Sequence, residues 1–181
     1  ASSEPVLQQM IETNPANPEN YFALARLYED SGLYDEAEQV FLQVLDLSTD
    51  DPTVYLQMAG FYDRNDEFEQ TIEALRQRAA LEPDNPEAFY TIATFYWEKA
   101  FRDFRLTDEE ELEHVMLGLT EADKALELNA DYIEALTYKN ILIRMQANLT
   151  EDLDLQEQLI ADADVLRDRA QELQDRQTSG L

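Results

Sequence analysis

A pattern of aromatic and small residues recurs in this chain at a fixed period of 34 residues. Each copy opens on a proline that follows Asn or Asp, and continues with an aromatic residue, a large apolar residue, Ala and Tyr. The three copies are Pro18, Tyr21, Leu24, Ala25 and Tyr28; Pro52, Tyr55, Met58, Ala59 and Tyr62; and Pro86, Phe89, Ile92, Ala93 and Tyr96. A constant period of this size indicates stacked supersecondary units, each of which buries its apolar face only against its neighbours.

The composition and the spacing of the apolar residues predict that each unit is a pair of helices. Four glycines and six prolines in 181 residues leave few positions for β-turns, and the apolar residues recur every three or four positions. An Asx residue before a proline is a typical helix start, because the side chain caps a free N–H and proline has none to lose. The first two pairs are predicted at 18–31 with 35–47, and at 52–64 with 67–81.

The repeated residues resemble those of tetratricopeptide repeat (TPR) proteins, well over residues 18–131 and loosely over 132–175. Beyond the first helices, the pattern is carried by Ala37, Phe41, Val44, Thr71, Leu75 and Pro83. The sequence departs from it at Thr49, where Pro is usual, and at Arg78, where Ala is usual. The resemblance implies an all-α, right-handed superhelical α-solenoid of antiparallel helix pairs. It also implies a non-enzymatic protein-interaction scaffold whose first helices line a concave groove.

The period divides the chain into six predicted segments. They are an N-terminal half-repeat helix at 1–17, repeats at 18–51, 52–85 and 86–131, a degenerate repeat with a capping helix at 132–175, and a tail at 176–181. The half-repeat is interpreted either as a cap or as the truncated end of a longer array. Ser3 and Thr150 are expected to cap the first and last helices. Two apolar stripes are expected to be buried: Tyr34, Ala37, Phe41, Val44 and Leu47; and Leu155, Leu159, Ala163, Leu166, Ala170 and Leu173.

A 13-residue insertion near 100–113 breaks the period in the third repeat. Its first helix is expected to continue toward Arg105, and Thr107 with Glu110 predicts a capping box at the start of the next helix, 108–128. Two phenylalanines and three cations share the inserted segment. We favour an internal strut that buries the rings and turns the cations toward local carboxylates. The alternative is a contact for an acidic partner segment or a neighbouring copy, and the residues concerned are Lys99, Phe101, Arg102, Phe104 and Arg105.

Residues for partner binding follow from the resemblance, because TPR proteins contact ligands through fixed positions of their first helices. Carried over, these positions give a predicted partner-binding groove. The alternative is that some of its aromatic side chains pack on neighbouring helices instead. The groove residues are Phe22, Arg26, Asp30, Leu56, Asp63, Arg64, Tyr90, Thr94, Trp97, Ile141, Arg144 and Met145.

The formal net charge of −27 restricts the classes of partner. It argues against nucleic acid, which requires a basic surface, and against anionic membrane surfaces. No apolar run is long enough to insert into a membrane. Long-range attraction favours a basic protein or peptide partner. The alternative is that Asp and Glu solvate the helices or reflect adaptation to salt.

No residue pattern predicts catalysis, a cofactor or a metal. The only histidine, His114, follows Glu110 and Glu111 on one predicted helix face, and a di-iron site requires two such motifs. The sequence from Asp63 to Glu67 begins like a calcium loop but lacks the required Gly and the closing Glu. There is no Cys. The Asn148 sequon is more simply a helix junction. We therefore predict that the chain is not an enzyme.

The leading functional prediction is a protein–protein interaction scaffold that holds an extended or helical partner segment in its groove. The alternative is a structural subunit that assembles, also with itself, through its end helices and the insertion. The compartment stays open between the cytoplasm and export. The chain starts at Ala1 without Met, which fits a mature form after signal removal, a fragment or a tagged version.

Overall fold

The structure is a computed structural model, and it describes residues 3–48 and 50–180. Thr49, where the sequence departs from the TPR pattern, lies outside that description, as do Ala1, Ser2 and Leu181. The described residues form nine α-helices and no strand, which confirms the all-α prediction. The helices are α1 (Ser3–Thr13), α2 (Pro18–Asp30), α3 (Tyr34–Leu47), α4 (Pro52–Arg64), α5 (Phe68–Leu81), α6 (Pro86–Arg102), α7 (Asp108–Leu128), α8 (Ile133–Asn148) and α9 (Leu153–Thr178).

The chain divides into two compact units, Ala1–Leu81 with α1 to α5 and Glu82–Leu181 with α6 to α9. In the first unit α2 packs against α1 and α3, and α4 packs against α5. In the second unit α6 packs against α7 and α8, and α8 packs against α9. Successive helices therefore pack as pairs within each unit, as the period predicts. The repeat boundaries themselves stay a prediction.

The three Asx-Pro sequences start helices as predicted. The side-chain oxygens of Asn17, Asp51 and Asn85 accept the backbone N–H two residues later, at 3.2, 2.8 and 3.0 Å. The proline that follows is the first residue of α2, α4 and α6. The capping box at α7 is also present, with Thr107 and Glu110 as its two members.

Replacing Asn85 with Ala is expected to lower the free energy of unfolding by about 1 kcal/mol, because the α6 N–H loses its acceptor. Urea denaturation followed by circular dichroism measures the change. Asn85→Ser is the control, since Ser also accepts this hydrogen bond without placing a second carboxylate beside Glu82 and should retain most of the stability. Equal losses in both variants would show that the cap contributes nothing.

Two apolar stripes that were predicted to be buried have exposed residues at their ends. Tyr34 and Leu47 are 52% and 55% exposed, whereas Ala37, Phe41 and Val44 between them are buried. Tyr34 and Leu47 are the first and last residues of α3. Periodicity gives the direction of a side chain, but burial also requires that a neighbouring helix reaches it. The same holds for Leu155, which is 47% exposed near the start of α9 while Ala163 and Ala170 are buried.

Helix ends differ from the predictions in four places. The cap of α9 is Asp152, which accepts from the N–H groups of Asp154 and Leu155, and the Thr150 hydroxyl instead donates to the carbonyl oxygen of Gln146 at 2.7 Å. This helix runs to Thr178, so that the predicted tail is helical over 176–178. Ser3 is already the first residue of α1, and α6 ends at Arg102, before Arg105.

The core of the second unit joins α6, α7, α8 and α9. Six buried residues form it, with four partly buried apolar residues packed against them. Gly118 of α7 lies at this junction, because a Cβ there would come within 3.1 and 3.3 Å of the Leu142 methyl carbons and 3.3 Å of the Tyr96 Cβ. The buried residues are Ala100, Val115, Leu119, Leu142, Ile143 and Ala163, and the partly buried ones are Trp97, Met145, Leu159 and Leu166.

Candidate partner-binding face

Five aromatic rings follow one another along α6 and α8 in the second unit, and we call them the aromatic ladder. The centroids of Tyr132 and Tyr90 are 5.5 Å apart, those of Tyr90 and Tyr138 5.5 Å, those of Tyr138 and Trp97 5.3 Å, and those of Trp97 and Phe101 5.4 Å. The first three pairs meet edge to face, and the last pair is stacked at 10°. Four of the rings are partly exposed, and Phe101 is 66% exposed.

The ladder follows from helix geometry and from the packing of α6 on α8. Tyr90, Trp97 and Phe101 are seven and four residues apart, so that they share one face of α6. Tyr132 occupies the N-cap position of α8 and Tyr138 lies within the helix. Aromatic pairs in such arrangements contribute about 0.5–1.5 kcal/mol each beyond the area they bury. The rings are therefore held in place before any partner arrives, which lowers the entropy lost on binding.

The electrostatic surroundings of the ladder are acidic at its Tyr90 end. The pKa of Tyr90 is raised to about 12, first by burial, then by the neighbouring phenols of Tyr138 and Tyr132, and then by the carboxylates of Glu134 and Glu87. Its phenol is therefore neutral at physiological pH, and the field of two glutamates reaches the rings.

The raised pKa of Tyr90 predicts a loss of stability at alkaline pH. The folded state holds this proton more tightly than the unfolded state, whose ordinary value is 10.0. The resulting stability is complete below about pH 10 and is lost as the pH rises through about 12. Urea denaturation across this range should show a smaller decline for Tyr90→Phe than for the original protein. Parallel declines would contradict the assignment.

The remaining groove predictions in the second unit have defined contacts. The Thr94 hydroxyl donates to the carbonyl oxygen of Thr91 at 2.7 Å, and Ile141 is partly exposed. Arg144 pairs with Asp164 of α9 at 2.5 Å and also donates to Asn140. Met145 packs against the core. Arg144 and Met145 thus contribute to the packing of α8 and α9, and a role for them in binding stays a prediction.

In the first unit the predicted groove residues lie on α2 and α4. Phe22 packs on Phe41 of the core, with ring centroids 6.2 Å apart. Arg64 binds Glu29 through two hydrogen bonds of 2.8 and 2.9 Å, which joins α4 to α2. The other four predicted residues, Arg26, Asp30, Leu56 and Asp63, are exposed.

In the inserted segment, the structure agrees with the strut interpretation for the cations and contradicts it for the phenylalanine rings. Its cations do bind local carboxylates, since Lys99 and Arg105 both bind Asp103, at 2.8 and 2.7 Å, and Arg102 binds Glu98 at 2.6 Å. The expected burial of the rings is wrong, because Phe101 and Phe104 are 66% and 96% exposed. The reason is that α6 ends at Arg102 and the loop folds around the Asp103 carboxylate, which leaves Phe104 outside.

The residues considered for metal or acid–base chemistry have structural contacts. His114 stacks on Tyr96 with centroids 6.1 Å apart, and Glu110 completes the capping box. The Asn65 amide donates to the carbonyl oxygen of Phe61 at 2.8 Å. Over residues 3–48 and 50–180, no three His, Asp or Glu side chains are grouped to hold a metal ion. The prediction that the chain is not an enzyme stays a prediction.

Sequence reasoning missed Tyr132 and Tyr138. The positions carried over for the fourth repeat were Ile141, Arg144 and Met145, all later in α8. The available signal was the presence of two tyrosines at the start of α8, the first helix of the repeat after the one that the aromatic-rich α6 opens. Only the packing of α8 on α6 shows that these tyrosines join the rings of Tyr90 and Trp97.

Comparisons with known proteins agree with this fold. Residues 1–60 match a family model described as tetratricopeptide repeat. A crystal structure of MamA protein has a TM-score of 0.66 at 16% identity, with 98% of this chain and 84% of that chain covered. MamA from Desulfovibrio magneticus RS-1 gives 0.61 at 16% identity, covering 94% and 83%. A human IFIT1 dimer with m7Gppp-AAAA gives 0.55 at 18% identity, covering 88% of this chain and 35% of that one. Comparison with curated protein sequences found no match.

These findings confirm the resemblance to TPR proteins and the α-solenoid fold class. At these identities the solved structures are evidence of the fold alone. A TPR fold supports a role as a protein-interaction scaffold in general terms. Among the described residues, no helix has the length and apolar character needed to cross a membrane.

Proposed function

We propose that this chain is an interaction scaffold that binds a basic segment of a partner protein across the aromatic ladder. The ladder itself is the observation that carries the proposal. It places five rings, four of them partly exposed and one largely exposed, on one face of α6 and α8. Rigid aromatic side chains are common anchors of protein interfaces, because they bury much area at little cost in conformational entropy.

The charge of the chain favours a basic partner. A Lys or Arg side chain over an aromatic ring gains about 0.5–2 kcal/mol, depending on its desolvation. The nearby cations of the chain are already engaged, since Lys139 pairs with Asp123 at 2.6 Å and Arg144 pairs with Asp164. A basic segment would also be attracted from a distance by a net charge of −27. An acidic segment would be repelled by the same field.

A selection from displayed random peptides tests the proposal. Peptides retained by the protein should be enriched in Arg and Lys beside apolar or proline residues, and their binding should weaken as salt rises. Counter-selection against Tyr138→Ala should remove them, because Tyr138 contacts both Tyr90 and Trp97. Retained peptides that are acidic, or that bind Tyr138→Ala equally well, would show that the ladder is not the binding face.

A second candidate function, a subunit of a larger assembly, is favoured by the exposure of the inserted segment. Phe104 is 96% exposed, more than any other large apolar side chain of the described residues. The end helices contribute further exposed apolar residues, with Val6 at 57% on α1 and Val165 at 70% on α9. Isolated exposed apolar residues are common, whereas the exposed ring of Phe104 on a braced loop, next to that of Phe101 at the end of α6, is a better anchor for a neighbour.

A further inference from the structure

The segment Lys99–Arg105, which we call the tip, is built as a rigid projection. The Asp103 carboxylate accepts hydrogen bonds from Lys99 Nζ at 2.8 Å and from Arg105 Nε and a second Arg105 nitrogen at 2.7 and 2.9 Å. It also accepts the Arg105 backbone N–H. These donors hold the pKa of Asp103 well below its usual range, so the brace stays charged. Below the loop, Phe101 stacks on Trp97. Phe104 is thereby presented to solvent on a loop that is already ordered.

The tip is also locally basic within an acidic chain. Residues 99–105 contain Lys99, Arg102 and Arg105 but only one carboxylate, Asp103. The side chains of Arg102 and Arg105 are 69% and 79% exposed, and their guanidinium groups pair within the chain with Glu98 and Asp103. An exposed ring flanked by two guanidinium groups matches an acceptor with an apolar floor and carboxylates at its rim.

A groove of this kind lies on α2 and α3 in the first unit. It is an open depression with a volume of about 430 Å³. Val40, which is buried, and the ring of Tyr28 supply apolar surface, and Asp35 and Glu36 are exposed at the start of α3. Two glutamines complete its lining, Gln39 and Gln43. We call it the acidic groove.

Among the described residues, the two carboxylates of the acidic groove, Asp35 and Glu36, have no cation partner. Cations are scarce in the chain as a whole. It contains 13 Lys and Arg against 40 Asp and Glu. The Arg105 guanidinium is held by Asp103, so the incoming group would be that of Arg102, which would exchange its exposed pairing with Glu98 for one with Asp35 or Glu36. Charge-assisted pairs of this type stabilise interfaces most when the geometry allows two hydrogen bonds.

We propose that the tip of one copy docks in the acidic groove of a second copy, with Phe104 between Tyr28 and Val40 and the Arg102 guanidinium on Asp35 or Glu36. This inference rests on the second candidate function, assembly. The two surfaces differ, so that the contact is heterologous and leaves one free tip and one free groove in each dimer. Such contacts continue into rings or open filaments. Because two copies of charge −27 repel one another at long range, assembly should strengthen between low and physiological salt.

Complementary variants test the pairing by sedimentation velocity at physiological salt. Phe104→Asp replaces the exposed ring of the tip and leaves the acidic groove intact. Glu36→Arg reverses a charge of the acidic groove and leaves the tip intact. Each variant alone should be monomeric at concentrations where the original protein assembles, with apparent association weakened at least about tenfold. An equimolar mixture should form a dimer and nothing larger, because only one intact tip and one intact groove remain for each pair.

Three controls keep the result interpretable. Phe104→Asp should leave the urea midpoint unchanged, since the ring is 96% exposed. Val165→Asp introduces the same charge at another exposed apolar position, 70% exposed on α9, and should assemble normally. If Glu36→Arg disturbs the first turn of α3, the double variant Asp35→Asn/Glu36→Gln removes the charges without reversing them.

The outcomes separate the inference from the function beneath it. A monomeric original protein at all concentrations and salts would overturn both the docking and the assembly function. Oligomers that persist in Phe104→Asp would overturn the docking and leave assembly through other surfaces. A mixture that stays monomeric would overturn the pairing with a second copy, and an acidic segment of another protein would then be the occupant to seek.

Discussion

Replacing Leu142 with Ala is expected to lower the free energy of unfolding of the second unit by about 3 kcal/mol. Leu142 is fully buried in the core shared by α6, α7, α8 and α9. Removing its methyl groups loses apolar burial and leaves a cavity that helices on several sides cannot all close. Urea denaturation followed by circular dichroism measures the loss, and a second transition is expected if the two units unfold separately.

The matched control for this cavity is Leu153→Ala, because Leu153 is 71% exposed at the start of α9. It should change the free energy of unfolding by less than about 0.5 kcal/mol. Gly118 gives a sharper test of the same packing, since a Cβ there would meet the Leu142 methyl carbons at 3.1 and 3.3 Å. Gly118→Ala should therefore be tolerated better in the Leu142→Ala background than alone. Strictly additive effects would contradict the contact.

Replacing Tyr138 with Ala is expected to weaken binding of a basic partner segment about thirtyfold, the equivalent of about 2 kcal/mol. Tyr138 is the central ring of the ladder and lies edge to face with both Tyr90 and Trp97. Its removal takes away one anchor and the lateral support of two others. Isothermal titration with a peptide from the selection described above measures the loss.

Two variants separate the ring from other causes. Tyr138→Phe retains the ring without the hydroxyl and should keep most of the affinity if the rings carry the binding. Tyr34→Ala removes a tyrosine that is 52% exposed in the first unit, outside the ladder, and should bind normally. A loss in Tyr138→Phe as large as in Tyr138→Ala would assign the affinity to the hydroxyl instead.

Local features of the fold could be predicted from the sequence because local chemistry determines them. Asn85 followed by proline starts α6 where expected, and Thr107 with Glu110 starts α7 at the predicted residue. The error at α9 has the same origin. Thr150 and Asp152 are both residue types that cap helices. The sequence does not show which of them caps α9, and in the structure it is Asp152.

Contacts between distant residues could not be predicted in the same way. The rings of Tyr90 and Tyr138 meet because α8 packs directly against α6, although the whole of α7 separates the two helices in the sequence. The exposure of Phe104 depends on the Asp103 carboxylate, which gathers Lys99 and Arg105 and ends the helix early. The helical period of the sequence predicts neither of these contacts. The positions of the residues that differ between repeats therefore became known only from the structure.

The single tryptophan offers the most direct test of binding at the ladder, because Trp97 is one of its five rings. Its emission is followed while a synthetic peptide of arginine and proline residues is added, and then its counterpart with glutamate in place of arginine. We expect a saturable change with the arginine peptide that weakens as salt rises, disappears in Tyr138→Ala and is absent with the glutamate peptide. No saturable change with the arginine peptide, or an equal one with both, would contradict a ladder that binds basic segments.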